Sequence, residues 1–197
     1  MPTRRSYHHG DLRAALVTYA EQALREKGVG GLSLRELARD LGVSPGAPNR
    51  HFSSKQALLD ALALEGFDRL QRQLDAALDE AGDSFAEQLA AFTRTGIGFA
   101  AANPALVDLM YSAKHDPTAS EDLAAASLRL LTLVTRMIER GQARGEVREG
   151  PSEGIGLPVM VMINGFVTLT VSGGIPAESV ERGLTDMVAF TLHGCAP

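Results

Sequence analysis

Apolar residues recur along this chain at spacings of three and four positions, which is the period of an α-helix. The long helices that this pattern predicts cover residues 11–27, 55–81, 84–102, 104–113, 121–144, 153–172 and 177–193. Two shorter helices are predicted between the first and second of these, and we find no alternating strand pattern and no repeat. The sequence therefore predicts an all-α protein of about nine helices.

The short helices lie within residues 32–59 and are joined by a tight turn. Ser33 is placed to cap the first of them, and Glu36 is placed to complete a capping box. Gly42 suits the left-handed conformation that ends a helix, and Ser44 is placed to cap the second helix. This order of elements is typical of a helix-turn-helix, which presents its second helix to DNA, although a capped helical hairpin would satisfy the same signals.

The order of elements, followed by an Arg-His-Phe segment, resembles the DNA-binding domain of the TetR family of bacterial transcriptional regulators. The residues that carry the resemblance are Tyr7, His8, His9, Gly10, Ser33, Leu34, Leu37, Ala38, Leu41, Gly42, Val43, Ser44, Arg50, His51, Phe52, Ser54, Lys55 and Leu58. It implies an amino-terminal three-helix DNA-binding domain over residues 1–55 and a larger helical ligand-binding and dimerisation domain over residues 56–197. The predicted DNA-binding residues are Arg4, Arg5, Ser33, Arg35, Ser44, Pro45, Gly46, Ala47, Asn49, Arg50, His51 and Lys55.

Pro48 and Asn49 depart from the family pattern, which has a Leu-Tyr pair at these positions. A proline in the fourth position of a helix removes the N–H that should make the first regular backbone bond. Either the second helix starts at about Ala47 with Pro48 in its first turn, or that turn is irregular. Asn49 can donate to a phosphate or pair with adenine, so the departure affects specificity or affinity.

The two parts of the chain carry opposite charge. Residues 1–55 contain nine Lys/Arg and five Asp/Glu, a net of +4, whereas the remainder has a net of −9, which gives −5 for the whole chain. A basic segment on an acidic body keeps attraction to DNA local. Arg4 and Arg5 suit a flexible arm that reaches the DNA backbone or minor groove, although a frayed terminus explains them equally well.

The composition also indicates where the protein works. A single cysteine, Cys195, excludes an intramolecular disulfide and suits a reducing cytoplasm, and its place near the end predicts that it is exposed. No secretory signal is recognisable. We expect no membrane span, because Gly156, Pro158, Asn164 and Gly165 interrupt the most apolar stretch, residues 155–171, which falls short of the roughly 20 residues required.

For the acidic body, the resemblance implies a small-molecule pocket and pairing of the last two helices with those of a second subunit. The predicted ligand-binding residues are Phe92, Phe99, Asn103, Met110, Tyr111, Val134, Met137, Met162, Asn164 and Phe166. The apolar residues in this set would also suit an ordinary helical core, and the last two helices would also suit a monomer. We favour a homodimer, because one helix-turn-helix makes few contacts for specific binding.

The chain contains no nucleophile elbow, phosphate-binding glycine loop, metal-ligand cluster or Ser/His/Asp grouping, so we expect no enzyme activity, cofactor or metal. The sequence predicts a cytoplasmic regulator that binds a palindromic double-stranded DNA operator as a homodimer and is released by a small-molecule effector. That it is a repressor rather than an activator rests on the resemblance. The alternative is a small-molecule-binding helical protein whose DNA-binding head has lost specific binding.

Overall fold

The computed structural model describes residues 12–114 and 119–197, and every regular element in these ranges is helical. The α-helices are α1 (Leu12–Lys27), α2 (Leu34–Asp40), α3 (Lys55–Glu80), α4 (Phe85–Ala102), α5 (Pro104–Lys114), α6 (Glu121–Ala143), α7 (Ser152–Val171) and α8 (Val180–Cys195). Single turns of 3₁₀-helix cover Val29–Gly31, Pro48–Arg50 and Ala177–Ser179. The all-α prediction is confirmed, and the ninth predicted helix is the 3₁₀ turn Pro48–Arg50.

Serine side chains cap the starts of α3, α4 and α6, and at α6 the Ser120 hydroxyl accepts a hydrogen bond from the Leu123 backbone N–H at 3.2 Å. Ser54 accepts a hydrogen bond from the Ala57 backbone N–H at 3.1 Å and so caps α3. Ser84 and Glu87 form a complete capping box at the start of α4. The Ser84 hydroxyl and backbone N–H also lower the pKa of the Glu87 carboxyl, because both donate to the charged form.

Helix α3 is the central element, with 26 residues and packing partners in α1, α4, α5 and α6. Its buried side chains run from Leu58, directly after the helix-turn-helix, to Leu78 in the body. At Gly66 an added Cβ would lie 2.7 Å from the Met110 Sδ, so the absence of a side chain lets α5 approach α3 closely. The amino-terminal helices and the body therefore share one continuous hydrophobic core.

Helix α7 corrects the expectation that its apolar stretch is too interrupted to span a membrane. It continues through Pro158 for 20 residues, and by length and composition alone it is long and apolar enough to cross a bilayer. A core helix passes the same test, and one face of α7 is buried against α4 and α6. Leu157, Val161 and Leu169 remain more than half exposed on it.

Cys195 also differs from expectation, because it is buried with only 4% of its surface exposed. Helix α8 extends to this residue, and the Cys195 carbonyl accepts a hydrogen bond from the Arg148 N–H at 2.8 Å. Burial raises the pKa of its thiol, with nearby Arg148 opposing the shift. The position of Cys195 in the sequence did not indicate that the last turn of α8 packs onto the body.

Candidate nucleic-acid interface and interior cavity

The turn that follows α2 is the best-defined part of the helix-turn-helix. Gly42 has a φ of 68°, in the left-handed region. Its N–H donates to the Arg39 carbonyl at 3.0 Å, and the Val43 N–H donates to the Ala38 carbonyl at 2.9 Å. This pair of bonds is a Schellman motif, which satisfies carbonyls that the end of the helix leaves free. The predicted Gly-Val turn is confirmed.

The predicted capping box at the start of α2 is wrong. Ser33 precedes the helix in an extended conformation, but its side chain makes no capping hydrogen bond. Glu36 instead lies 3.9 Å from the Lys27 ammonium and 4.0 Å from the Arg39 guanidinium. Arg39 is three residues from Glu36 on the same helix, whereas the contact with Lys27 of α1 is not evident from the local sequence.

The segment after the turn is not an α-helix, and Ser44 does not cap one. A regular helix would need an N–H at position 48 to donate to the Ser44 carbonyl, and proline has none. The Ala47 N–H donates to that carbonyl instead, at 2.9 Å, and Pro48 becomes the first residue of a single 3₁₀ turn. Pro48 thus lies in the first turn of a helical segment, as the alternative with a start at about Ala47 predicted. That segment ends after this single turn.

The 3₁₀ turn separates inward-facing from outward-facing side chains. Pro48 is buried, and its carbonyl accepts from the N–H groups of His51 at 3.0 Å and Phe52 at 2.9 Å. Phe52 is buried, with the Arg13 guanidinium 5.4 Å from its ring centroid. Asn49, which lies between these anchors, is exposed.

The predicted DNA-binding residues within the described ranges lie just before and on α2, in the turn after it, on and next to the 3₁₀ turn, and at the start of α3. Those that are exposed are Arg35, Ser44, Pro45, Gly46, Asn49, Arg50 and His51, and those that are half-buried are Ser33, Ala47 and Lys55. Arg4 and Arg5 lie outside the described residues. Arg35, Arg50 and Lys55 form no ion pair with any described residue, so their charges remain available for phosphate groups.

The body encloses a cavity of about 80 Å³ between α3, α4, α5, α6 and α7. The side chains and glycine that line it are Phe67, Leu70, Leu74, Phe92, Gly96, Phe99, Ala100, Val107, Met110, Tyr111, Lys114, Ser127, Leu130, Met160, Ile163, Asn164 and Val167. Pockets for drug-sized ligands usually measure about 300–1,000 Å³. A ligand of that size would have to widen this cavity.

The cavity brings together half of the predicted ligand-binding residues, namely Phe92, Phe99, Met110, Tyr111 and Asn164. The others lie elsewhere. Val134 and Met137 are buried in the core on α6, Met162 contacts Thr191 of α8, and Phe166 lies against Gly183. Asn103 caps the end of α4. Whether any of these residues binds a ligand stays a prediction.

Lys114 is a cavity residue that the sequence reasoning missed. It lies three positions after Tyr111 and four after Met110, so helical spacing places all three on one side of α5. Its Nζ is 4.2 Å from the centroid of the Tyr111 ring, and burial lowers the pKa of its ammonium. Tyr111 Oη donates to Asn164 Oδ1 at 2.7 Å, and burial raises the pKa of Tyr111 to about 12.

Arg69 of α3 forms a second polar cluster, between the cavity and the head. Its guanidinium donates to both oxygens of Glu21 in α1, at 3.1 and 3.3 Å, and to Asn103 Oδ1 at 3.1 Å. It also lies 5.5 Å from the ring centroid of Phe99, a cavity residue. Leu62, Gly66 and Arg69 follow one another at helical spacing on the buried side of α3. This spacing could have indicated from the sequence that Arg69 faces the interior.

Two family profiles match the chain and together span both parts of the fold. The profile described as bacterial regulatory proteins, tetR family, matches residues 16–62, and that described as tetracyclin repressor-like, C-terminal domain, matches residues 89–191. The second match alone covers more than half of the chain. The chain therefore belongs to the tetR family of bacterial regulatory proteins.

Individual proteins are similar to this chain over most of its length. A Rhodococcus sp. RHA1 protein of unknown function is 38% identical, with a TM-score of 0.90 over 98% of this chain and all of that chain. An HTH-type transcriptional regulator of Mycobacterium tuberculosis is 31% identical over 142 residues, 70% of this chain and 60% of that protein. The chain thus spans only about 60% of the length of these mycobacterial relatives.

The tetracycline repressor protein class D of Escherichia coli is 40% identical over 73 residues, which is 37% of this chain and 32% of that protein. The similarity to it is therefore limited to part of the chain.

The Schellman turn gives a test of the head's local structure. We expect Gly42→Ala to destabilise the protein by about 1–2 kcal/mol, because a Cβ is disfavoured at this positive φ. Gly46→Ala is the matched control, since Gly46 has no positive φ and open space around it. Urea unfolding followed by circular dichroism measures both, and equal stability of the two variants would contradict the turn geometry.

Proposed function

We propose that this protein is a ligand-responsive transcriptional regulator, a repressor that binds a palindromic DNA operator as a homodimer in the cytoplasm. The observation that carries the proposal is that Arg35, Arg50 and Lys55, on the elements around the Schellman turn, form no ion pair with any described residue, and that α3 joins these elements to a body with an interior cavity. Family membership supports the same function. We propose that residues 1–55 form the DNA-binding head and residues 56–197 the body.

On the DNA side, the head divides naturally into positioning and reading residues. Arg50 and Lys55 supply charges for phosphates, which fix the register but carry no sequence information. Asn49 is exposed on the 3₁₀ turn and has the donor and acceptor that pair with adenine. A single turn presents fewer side chains to the base edges than a full recognition helix does. Each base contact that it makes, such as that of Asn49, therefore carries a larger share of the specificity.

The same short turn supports a second candidate function. Without a regular recognition helix, the head can lose its sequence-specific contacts to bases while its basic residues still attract any DNA duplex. The protein would then be a small-molecule-binding helical protein with weak, salt-sensitive attachment to DNA. The two candidates differ in whether any sequence is preferred.

Selection of bound sequences from a random DNA pool, with retesting across a salt series, separates these candidates. We expect an enriched palindrome whose half-sites are about 10 base pairs or more apart. Arg50→Ala should weaken binding similarly on all sequences and lower the salt slope by about 1. Asn49→Ala should relax the preference at one base position.

Arg72→Ala is the control, because Arg72 pairs with Glu65 on α3 and is not among the predicted DNA contacts. A folded protein that enriches no sequence would favour the second candidate.

Dimerisation is supported by an exposed apolar stripe on α7 and α8. Leu157, Val161 and Leu169 repeat at helical spacing, with Gly165 between them and nothing within 4 Å of the position of its missing Cβ. Phe190 of α8 is 69% exposed. We propose that this surface packs against the same surface of a second copy, since exposed apolar patches mark such contacts and two-fold pairing brings a patch onto itself.

The double variant Val161→Arg, Phe190→Arg should be a monomer, because dimerisation would bury arginines that have no acidic partner. Leaving a buried charge unpaired costs about 3–5 kcal/mol. Light scattering on a size-exclusion column measures the mass. Leu128→Arg is the matched control, since Leu128 is as exposed as Val161 but lies on α6. A double variant that remains dimeric would place the interface elsewhere.

Arg69 supplies the proposed route from cavity to head. An effector larger than the cavity must displace the helices that line it, and Phe99 is both a lining residue and a partner of Arg69. Arg69 in turn holds Glu21 of α1, which packs against the 3₁₀ turn as well as α3. A shift of Phe99 therefore reaches the head through one guanidinium.

A double-mutant cycle tests the strength of this link. We expect Arg69→Met and Glu21→Gln to show a coupling free energy of about 1–3 kcal/mol in urea unfolding, because the pair is largely buried and doubly hydrogen-bonded. Arg69→Met should also change affinity for the selected operator without altering its preferred sequence.

The matched cycle uses Arg72→Met and Glu65→Gln, an exposed pair confined to α3, for which we expect about 0.2–1 kcal/mol. Equal coupling in the two cycles, with unchanged operator affinity in Arg69→Met, would remove Arg69 from the route.

A further inference from the structure

We infer that the interior cavity takes a monoanionic amphiphile, with an apolar body and a carboxylate head that binds Lys114 and Asn164. This deepens the proposed function, because it names the chemical class of the effector. The inference rests on the polar groups at the cavity wall and on the charges around it.

The wall of the cavity is almost entirely apolar. Its polar side chains are Tyr111, Lys114, Ser127 and Asn164, and no acidic residue is among the described residues that line it. A ligand must therefore be mainly hydrocarbon, since a polar group buried against this wall would lose its hydration without a hydrogen-bond partner. Any polar head must lie where α5 meets α7, beside these few groups.

The groups available there are donors. Asn164 Oδ1 already accepts from Tyr111 Oη, so the amide N–H groups of Asn164 are what it has left to offer, and they make no hydrogen bond to a described residue. The Lys114 ammonium forms no ion pair with any described residue. Ser127 Oγ donates to the Ala124 carbonyl. A head that matches Lys114 and Asn164 must accept hydrogen bonds, as a carboxylate does through two oxygens.

The charges around the cavity favour an anion over a cation. Aromatic faces attract cations, and four aromatic side chains line this cavity. Two of those rings already have a protein cation on their face, since Lys114 lies over Tyr111 and Arg69 lies over Phe99. Arg69 is already paired with Glu21, whereas Lys114 has no acidic partner among the described residues, so Lys114 would repel a cationic ligand and attract an anion.

Three probes with one apolar body and different heads test this inference: octanoate, octan-1-ol and octylamine. Calorimetric titration of the full-length protein at pH 7.5, without DNA, measures their affinities. We expect octanoate to bind at one site per chain about tenfold or more tightly than octan-1-ol, because hydrogen bonds to charged groups contribute about that factor. Octylamine should bind more weakly than octan-1-ol.

Variants of Lys114 then locate the head. Lys114→Met keeps the length of the side chain and removes the charge, so octanoate and octan-1-ol should bind it about equally. Lys114→Arg should retain the preference for octanoate. Lys27→Met is the control, because Lys27 lies in the head beside Glu36 and should leave all three affinities unchanged.

The inference is overturned if none of the probes binds the wild-type protein, if octylamine binds as tightly as octanoate, or if Lys114→Met keeps the wild-type preference. A separate titration of the selected operator tests regulation. Octanoate that binds as expected but leaves operator affinity unchanged would contradict the proposed function and leave the ligand class standing. Release of the operator by a ligand of another chemical class would support the proposed function and contradict the inference that the ligand is an anionic amphiphile.

Discussion

The burial of α3 along most of its length is the constraint on which the rest of the structure depends. A head this small buries little surface by itself, and it packs on the first turns of α3, where Leu58 and Leu62 are completely buried. Later in the same helix, Phe67 and Leu74 line the interior cavity. Each such side chain contributes about 1.5–3 kcal/mol by leaving water. Because α3 contributes to one core shared by the head and the body, neither can move far without the other.

The cavity and the Arg69 cluster follow from this arrangement. Arg69 lies among the cavity-lining residues of α3, between Phe67 and Leu70, and its bonds to Glu21 and Asn103 join α1 to the end of α4. Few ionisable side chains lie in the described interior: Arg69 is paired with Glu21, and Lys114 lies at the cavity wall without an acidic partner among the described residues.

The sequence predicts the helices well and the site only in part, for physical reasons that differ by residue. Apolar spacing places α3, α4 and α6 within one or two residues of their ends, because the periodicity reflects burial directly. The cap expected at Ser44 fails because Pro48 lacks an N–H, and at Ser33 the Glu36 carboxylate lies near Lys27 and Arg39 and no capping box forms. Lining residues such as Lys114 depend on how five helices pack together, which no local pattern specifies.

Native-state hydrogen exchange in low urea tests most directly the claim that α3 makes head and body one cooperative unit. Amides of α1, which packs on α3, and of α6, which lies in the body, should open with the same free energy and the same urea dependence, to within about 1 kcal/mol, because one unfolding event exposes both. If the α1 amides exchange through a much cheaper opening while α6 stays protected, the head unfolds separately, and the account of α3 as a shared core helix is wrong.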